Sequence, residues 1–338
     1  MKRMIGLAVL FIALLVGVTH CVQAACTTAE VNGTFGSVTS FALKTTPASS
    51  TSGSVSVNCT VSVLGLLTND TISLQLVSST YFNGSTPVLQ TSAASTDSIP
   101  ISVCTTNTNP CTAPMLIGGA AINFNSSSLI NLSTSNKNFT LPIYLLTLPS
   151  SSLNVAAGTY TTTLGIKTTY AICTILTCAL GGQTTGSPIL PLIVTIVVSN
   201  DCTTITADSV SFGSQPLLSS FSSVSNRNIA VVCTKGSTYT VSLDNGQHSV
   251  GGVRYMARNG TGTGTGNIIA YDIYQGANNT FPRWGSLAAG QAWSSNDPTS
   301  TNSDLVTKNY TYSAQILSGQ TTPTAGAFTD TITVSLSF

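Results

Sequence analysis

The chain is 338 residues long, 42% hydrophobic and only 6% charged, with a formal net charge of +1. An ordinary domain carries roughly a quarter charged residues, so this surface lacks the long-range field that steers a protein onto nucleic acid or an anionic membrane. Regular alternation of apolar residues argues for folded cores rather than disorder.

In chain order, Lys2 and Arg3 precede an apolar run from Ile5 to Val18 and a small-residue site at Val22, Gln23 and Ala24. This pattern reads as a secretory signal peptide over residues 1–24. Of nine cysteines, Cys21 leaves with the signal, and eight remain in an exported chain where disulfides persist. Cys26 and Cys59 hold the same places in one repeat as Cys202 and Cys233 in another, which leaves Cys104 with Cys111 and Cys173 with Cys178 as local pairs. No histidine lies near them, and a zinc site would want one or more further ligands in the right spacing. No metal and no cofactor is expected.

Three stretches recur. "CTTAEVNGTFGSV" from Cys26 resembles "CTTITADSVSFGSQ" from Cys202; Ile72, Leu74 and Leu76 align with Tyr239, Val241 and Leu243; "AAGTYTTTLGIKTTY" aligns with "TAGAFTDTITVSLSF", so that Gly158, Tyr160 and Leu164 match Gly326, Phe328 and Ile332. Two homologous domains follow, 25–199 and 200–338. Both read as β, because apolar residues recur at every second position in short runs bounded by Gly, Asn, Pro and Ser clusters. The expected fold is all-β, with two tandem immunoglobulin-like sandwiches.

The two copies end differently. The first continues into "SPILPLIVTIVVS", an additional strand with Leu192, Val194, Ile196 and Val198, whereas the second reaches only the equivalent of Tyr170. The second copy is one strand short. Its exposed cleft and unpaired edge call for a strand from another chain, unless that strand comes from elsewhere in the same domain. With cleavage after Ala24, Cys26 starts its strand at once, so the mature chain is expected to accept a strand and have none to give.

Three segments of the first domain mix turn residues with apolar side chains: Val63, Leu64, Leu66 and Leu67; Pro114, Met115, Leu116 and Ile117; and Ile172, Ile175, Leu176 and Leu180. Gathered at one end they would form an apolar binding patch. Burial as an end plug, or continuation of "AICTIL" as a strand stapled by its cysteines, is the alternative for each. Catalysis is not expected: His248 is the one histidine beyond the signal, the carboxylates are scattered, and "GTGTGTG" lacks the Lys-Ser/Thr of a phosphate loop.

The paired "C…FG…C" pattern, the "YDIYQ…RWGS" segment from Tyr271 to Ser286 and the terminal "GAFTDTITVSLSF" resemble spore coat protein U domains, the subunits of archaic, Csu-type chaperone-usher pili. Two such domains without an N-terminal extension resemble the tip adhesin of these fibres. The resemblance implies that Phe328, Ile332, Val334, Leu336 and Phe338 help form a cleft held first by a periplasmic chaperone and then by a pilin's donor strand, after passage through an outer-membrane usher. It also implies export through the periplasm to the cell surface and apolar finger-like loops that hold abiotic or host surfaces in biofilm formation. A carbohydrate-binding tip is the alternative, although Trp284 and Trp293 both lie in the second domain; a structural shaft or coat subunit is a further one.

Overall fold

The computed structural model describes residues 25–60, 70–124, 136–173 and 183–338. The signal peptide, the side chains of Val63, Leu64, Leu66, Leu67, Ile175, Leu176 and Leu180, and Cys178 lie outside these residues.

In the first half, strand Thr71–Ser79 turns Ile72, Leu74 and Leu76 inward at alternate positions, each at most 1% exposed. The sixteen-residue strand Gly158–Cys173 pairs antiparallel with it on one edge and with strand Ile189–Ser199 on the other. That last strand buries Leu190, Leu192, Val194, Ile196 and Val198, and its far edge pairs in parallel with Gly33–Thr39. Pro191 sits before Val194, where pairing on the second edge begins, so its missing N–H interrupts no ladder there. The facing sheet consists of Cys26–Val31, Ser54–Thr60 and Asn136–Pro142, and the wall continues through Tyr144–Thr147, Ile99–Cys104 and Thr86–Leu89. One core runs from Phe35 to Val198.

A second core runs from Ile229 to Ala314 around the fully buried Trp284, whose Nε1 donates to the Val241 carbonyl at 2.9 Å. Its large sheet follows the order Cys202–Ala207, Val224–Cys233, Thr307–Ile316, Ile268–Gln275, Arg254–Arg258, Phe328–Thr329. The small facing sheet is Trp293–Ser294, Thr240–Leu243 and Val334–Ser337. The protein is therefore all-β with two tandem domains, and almost no helix interrupts its described residues.

The duplication extends to register. Leu74 pairs with Thr168 and Leu76 with Ile166 in the first domain; their repeat equivalents, Val241 with Leu336 and Leu243 with Val334, pair in the second. Disulfides join Cys26 to Cys59, Cys104 to Cys111 and Cys202 to Cys233, and Cys173 is also disulfide-bonded. The first and last of the three span 33 and 31 residues between neighbouring strands. Replacing Cys26 and Cys59 together by Ser should lower the unfolding free energy of the first domain by roughly 3–4 kcal/mol, read as a drop in urea midpoint under non-reducing conditions.

Candidate functional site

Two places stand out, one in each domain. In the first domain, strand Ile189–Ser199 fills the lane between Gly33–Thr39 and Gly158–Cys173. In the second, residues 208–216 correspond to the first of these flanking strands and 326–338 to the other, yet no strand among the described residues lies between them. A cavity of about 360 Å³ occupies the lane, lined by Val210, Phe212, Met256, Phe328, Ile332 and Val334 among others. It runs on into a groove of about 700 Å³ that shares Val210, Phe212, Met256 and Phe328. The walls are correspondingly bare: Leu164, Ile166 and Thr168 are fully buried, while their counterparts Ile332, Val334 and Leu336 are only partly covered.

The charged groups of the wall are already satisfied. Asp330 accepts from the Tyr271 hydroxyl at 2.7 Å and the Gln247 amide at 3.0 Å. Burial, reinforced by Asp330, holds the Tyr271 phenol above its ordinary range. What the groove offers a ligand is apolar side chains and the backbone of residues 208–216 and 330–332, which lies outside any strand. Of the five residues expected to form it, Phe328, Ile332 and Val334 line the cavity. Leu336 packs against the second core beside Val241. Phe338 is 69% exposed just past the end of the strand Val334–Ser337, its ring 6.0 Å from that of Tyr239, because the cavity lining does not reach so far along the chain.

The second place is the end of the first domain where its long strand finishes. Asp70, Lys137 and Cys173 flank residues 61–69, 125–135 and 174–182 in sequence, and they meet: Lys137 Nζ is 2.7 Å from Asp70 Oδ2, and the Cys173 amide donates to Asp70 Oδ1 at 2.9 Å. The two side chains are 6% and 4% exposed. Lys137 belongs to one sheet, Cys173 to the other, and Asp70 immediately precedes strand Thr71–Ser79 of that second sheet, so the pair closes the end of the sandwich. Sequence reading missed this pair. With charge so scarce, an Asp and a Lys each beside a stretch with several apolar residues were the available signal.

Two of the expected surface residues are instead core. Ile172 is fully buried, because strand Gly158–Cys173 continues through it into a hairpin with Gln183–Gly186. Met115 is 3% exposed: residues 115–119 are bonded to the Val103, Ser85 and Leu76 backbones and lie against the side of the sandwich. Pro114 and Leu116 remain exposed, and Ile117, at a turn with Gly118, is partly packed on the core.

The opposite end of the first domain meets the second. Lys235 pairs with Asp97, Ser40 and Thr234 hydroxyls lie 3.0 Å apart, and Asn154 Nδ2 donates to the Asp304 carbonyl at 2.6 Å. Asp97 also accepts from the Ala156 amide at 2.9 Å. Burial, with Asp97 close by, pushes the Tyr160 phenol up to about 12. It remains protonated and donates to the Ala156 carbonyl at 2.8 Å. From here the strand Gly158–Cys173 rises about 50 Å, at roughly 3.3 Å per residue, to the Asp70 cluster. Among the described residues no group of three or more metal-ligating side chains assembles, and no helix is long and apolar enough to cross a membrane.

Residues 12–167 and 190–335 each match the Spore Coat Protein U domain. The chain belongs to the spore coat protein U family. The duplicated register is thus a repeat of one family domain. Among solved structures, this spore coat U protein is similar to the CsuC–CsuE chaperone–tip adhesion subunit pre-assembly complex from archaic chaperone-usher Csu pili of Acinetobacter baumannii, at 23% identity, TM-score 0.53, over 93% of this chain and 100% of that one. The tip adhesin CupB6 of Pseudomonas aeruginosa aligns over 93% of this chain and 95% of its own, at 12% identity and TM-score 0.31. The first likeness is one of fold. No curated protein matches the chain at a significant level.

Removing one partner of the buried pair leaves the other charged in an apolar setting, which costs about 3–5 kcal/mol. Lys137→Met should therefore lower the unfolding free energy of the first domain by that amount, measured by urea titration and compared with Lys44→Met at the surface.

Proposed function

We propose that this protein is the tip adhesin of an archaic chaperone-usher pilus, joined to its fibre through the second domain and holding a surface through the far end of the first. The observation that carries this reading is the vacant strand lane of the second domain. In the first domain the same lane is filled by five buried aliphatic side chains. At about 1.5–3 kcal/mol each, a strand entering the lane would gain roughly 7–15 kcal/mol before ordering costs. It would also pair the free backbone along the edge. A periplasmic chaperone is the fitting first occupant and an adjacent pilin's donor strand the second, with export through an outer-membrane usher to the cell surface. The similar fold of a chaperone–tip subunit complex supports these partners.

The adhesive part of the proposal rests on position. The borders of three loops converge at the end of the first domain away from the second. In sequence these loops carry Leu64, Leu66 and Leu67; Leu129, Ile130 and Leu132; and Ile175, Leu176 and Leu180. Burying roughly 100 Å² at each tip would contribute about 2.5 kcal/mol per loop, and many fibres on one cell multiply a modest affinity. The target is accordingly an apolar, abiotic surface, the cellular outcome is biofilm, and no catalysis is involved.

A copy of residues 188–199 fused behind Phe338 through a flexible linker should give a monomer with a higher urea midpoint than the unfused chain; equal midpoints would remove the groove argument. On cells, Leu66→Ser combined with Leu176→Ser should cut attachment to polystyrene at least about tenfold, as expected from two lost apolar contacts, at unchanged pilus number. Attachment that persists on plastic, or that tracks a glycan panel instead, would move the binding chemistry elsewhere.

A further inference from the structure

The Asp70–Lys137 pair has no counterpart in the duplicated domain. The residue two before Tyr239, equivalent to Ile72, is Ser237, where the residue two before Ile72 is Asp70. The neighbour of Cys233 across the ladder is Val306, bonded through its carbonyl at 3.1 Å, where that of Cys59 is Lys137. In the second domain this end is closed by a tight turn, with the Ser237 hydroxyl donating to the Thr234 carbonyl at 2.7 Å. Only three residues separate Cys233 from Ser237 there, against ten between Cys59 and Asp70. The same sandwich end, with its short loop, closes without an ion pair inside the domain: Lys308 Nζ donates to the Ser295 carbonyl at 2.7 Å, and Lys235 pairs across to Asp97 of the first domain. The ion pair accompanies the long loops.

We propose that Asp70 is a positioning residue for the adhesive end: one carboxylate ties the borders of all three loops to a single point. Oδ2 holds Lys137, where residues 125–135 end; Oδ1 holds the Cys173 amide, where residues 174–182 begin; and Asp70 itself ends residues 61–69. Two covalent staples stand around this point, since Cys26 and Cys59 bond beside Lys137 on the same sheet and Cys173 is itself disulfide-bonded. A hydroxyl or amide could satisfy one of these donors. A carboxylate has enough acceptor sites for an ammonium from the facing sheet and a backbone N–H from its own at the same time. Burial excludes the water that would otherwise compete for both. Spacing among the loop borders is then set by a few ångströms of hydrogen-bond geometry rather than by the loops themselves. Borders held at a fixed spacing lower the cost of engaging a surface. This inference rests on the adhesive reading of that end.

Two double variants test it without leaving an orphaned charge. Asp70→Val with Lys137→Met removes both charges and the acceptor for the Cys173 amide; Asp70→Asn with Lys137→Met removes the charges and keeps an acceptor. Hydrogen exchange on the full chain in complex with its chaperone should show the Cys173 amide opening about tenfold more readily in the first variant, the factor for one lost charge-assisted bond. Core amides such as that of Leu74 should be unchanged, and the second variant should recover most of the Cys173 protection. On cells with equal pilus counts, attachment to polystyrene should fall several-fold in the first variant and recover in the second. Unchanged exchange at Cys173 overturns the tie itself. Attachment held in the first variant while Leu66→Ser with Leu176→Ser abolishes it overturns the positioning role alone. Attachment held in both overturns the adhesive reading together with the inference built on it.

Discussion

A β-sheet lane without a strand is the constraint on which the rest of this molecule depends. The segment after each first cysteine can join its sheet only through an intervening strand, because its neighbour in the fold is one lane away. In the first domain that strand is present, and Gly33–Thr39 is drawn into a parallel ladder with it. In the second domain the equivalent residues 208–216 have no ladder, and the opposing wall breaks into the short strands Phe328–Thr329 and Val334–Ser337. One lane without a strand among the described residues thus accounts for the irregular segment, the interrupted final strand and the groove between them. Free backbone and aliphatic side chains lying along one line are costly to expose to water and favourable to cover.

Charge is used sparingly, and Asp70, Lys137 and Arg254 carry it into the interior. Four ion pairs are found among the described residues, and their side chains range from fully buried to one-quarter exposed. Each sits where separate elements meet: two sheets at Asp70 and Lys137, two domains at Asp97 and Lys235, and, in the second domain, strand Arg254–Arg258, strand Ile268–Gln275 and the bridge at Arg283 around Arg254, Asp272 and Arg283. Arg254 is fully buried and also donates to the Asp244 and Trp284 carbonyls at 2.7 and 2.8 Å. A buried pair with all its donors satisfied contributes little net stability compared with apolar packing, but it admits one geometry. That distribution suits a protein whose surface is nearly neutral and whose joints must hold a defined spacing.

Much of the fold was legible because alternation and duplication agree. Ile72, Leu74 and Leu76 are spaced for one face of a strand, and their matches Tyr239, Val241 and Leu243 are too, so each copy vouched for the other. The strand Ile189–Ser199 could be read from an unbroken apolar run. Legibility ended at the loops. Met115 and Ile172 carry the same apolar character as exposed loop residues, and only the backbone bonds of residues 115–119 and the hairpin with Gln183–Gly186 decide that they point inward. The Asp70–Lys137 contact joins residues 67 positions apart on facing sheets, and no local pattern announces a pairing of that kind. Phe338 shared the right alternation with Ile332 and Val334 yet lies beyond the groove, since periodicity sets the face of a side chain and not how far along the strand the cavity extends.

The junction between the domains has a mechanical consequence. Strand Ile189–Ser199 runs directly into the second domain through Asn200 and Asp201, with Gly158–Cys173 antiparallel on one side and Gly33–Thr39 parallel on the other. Tension between the domains therefore pulls this strand lengthwise past both neighbours. Its ladder bonds lie across the direction of pull and share the load, instead of opening one after another as they would at a peeled edge. The Asp97–Lys235 and Asn154–Asp304 contacts bear on the flanks of the same joint and resist its bending. The molecule is arranged to be loaded in shear along its long axis.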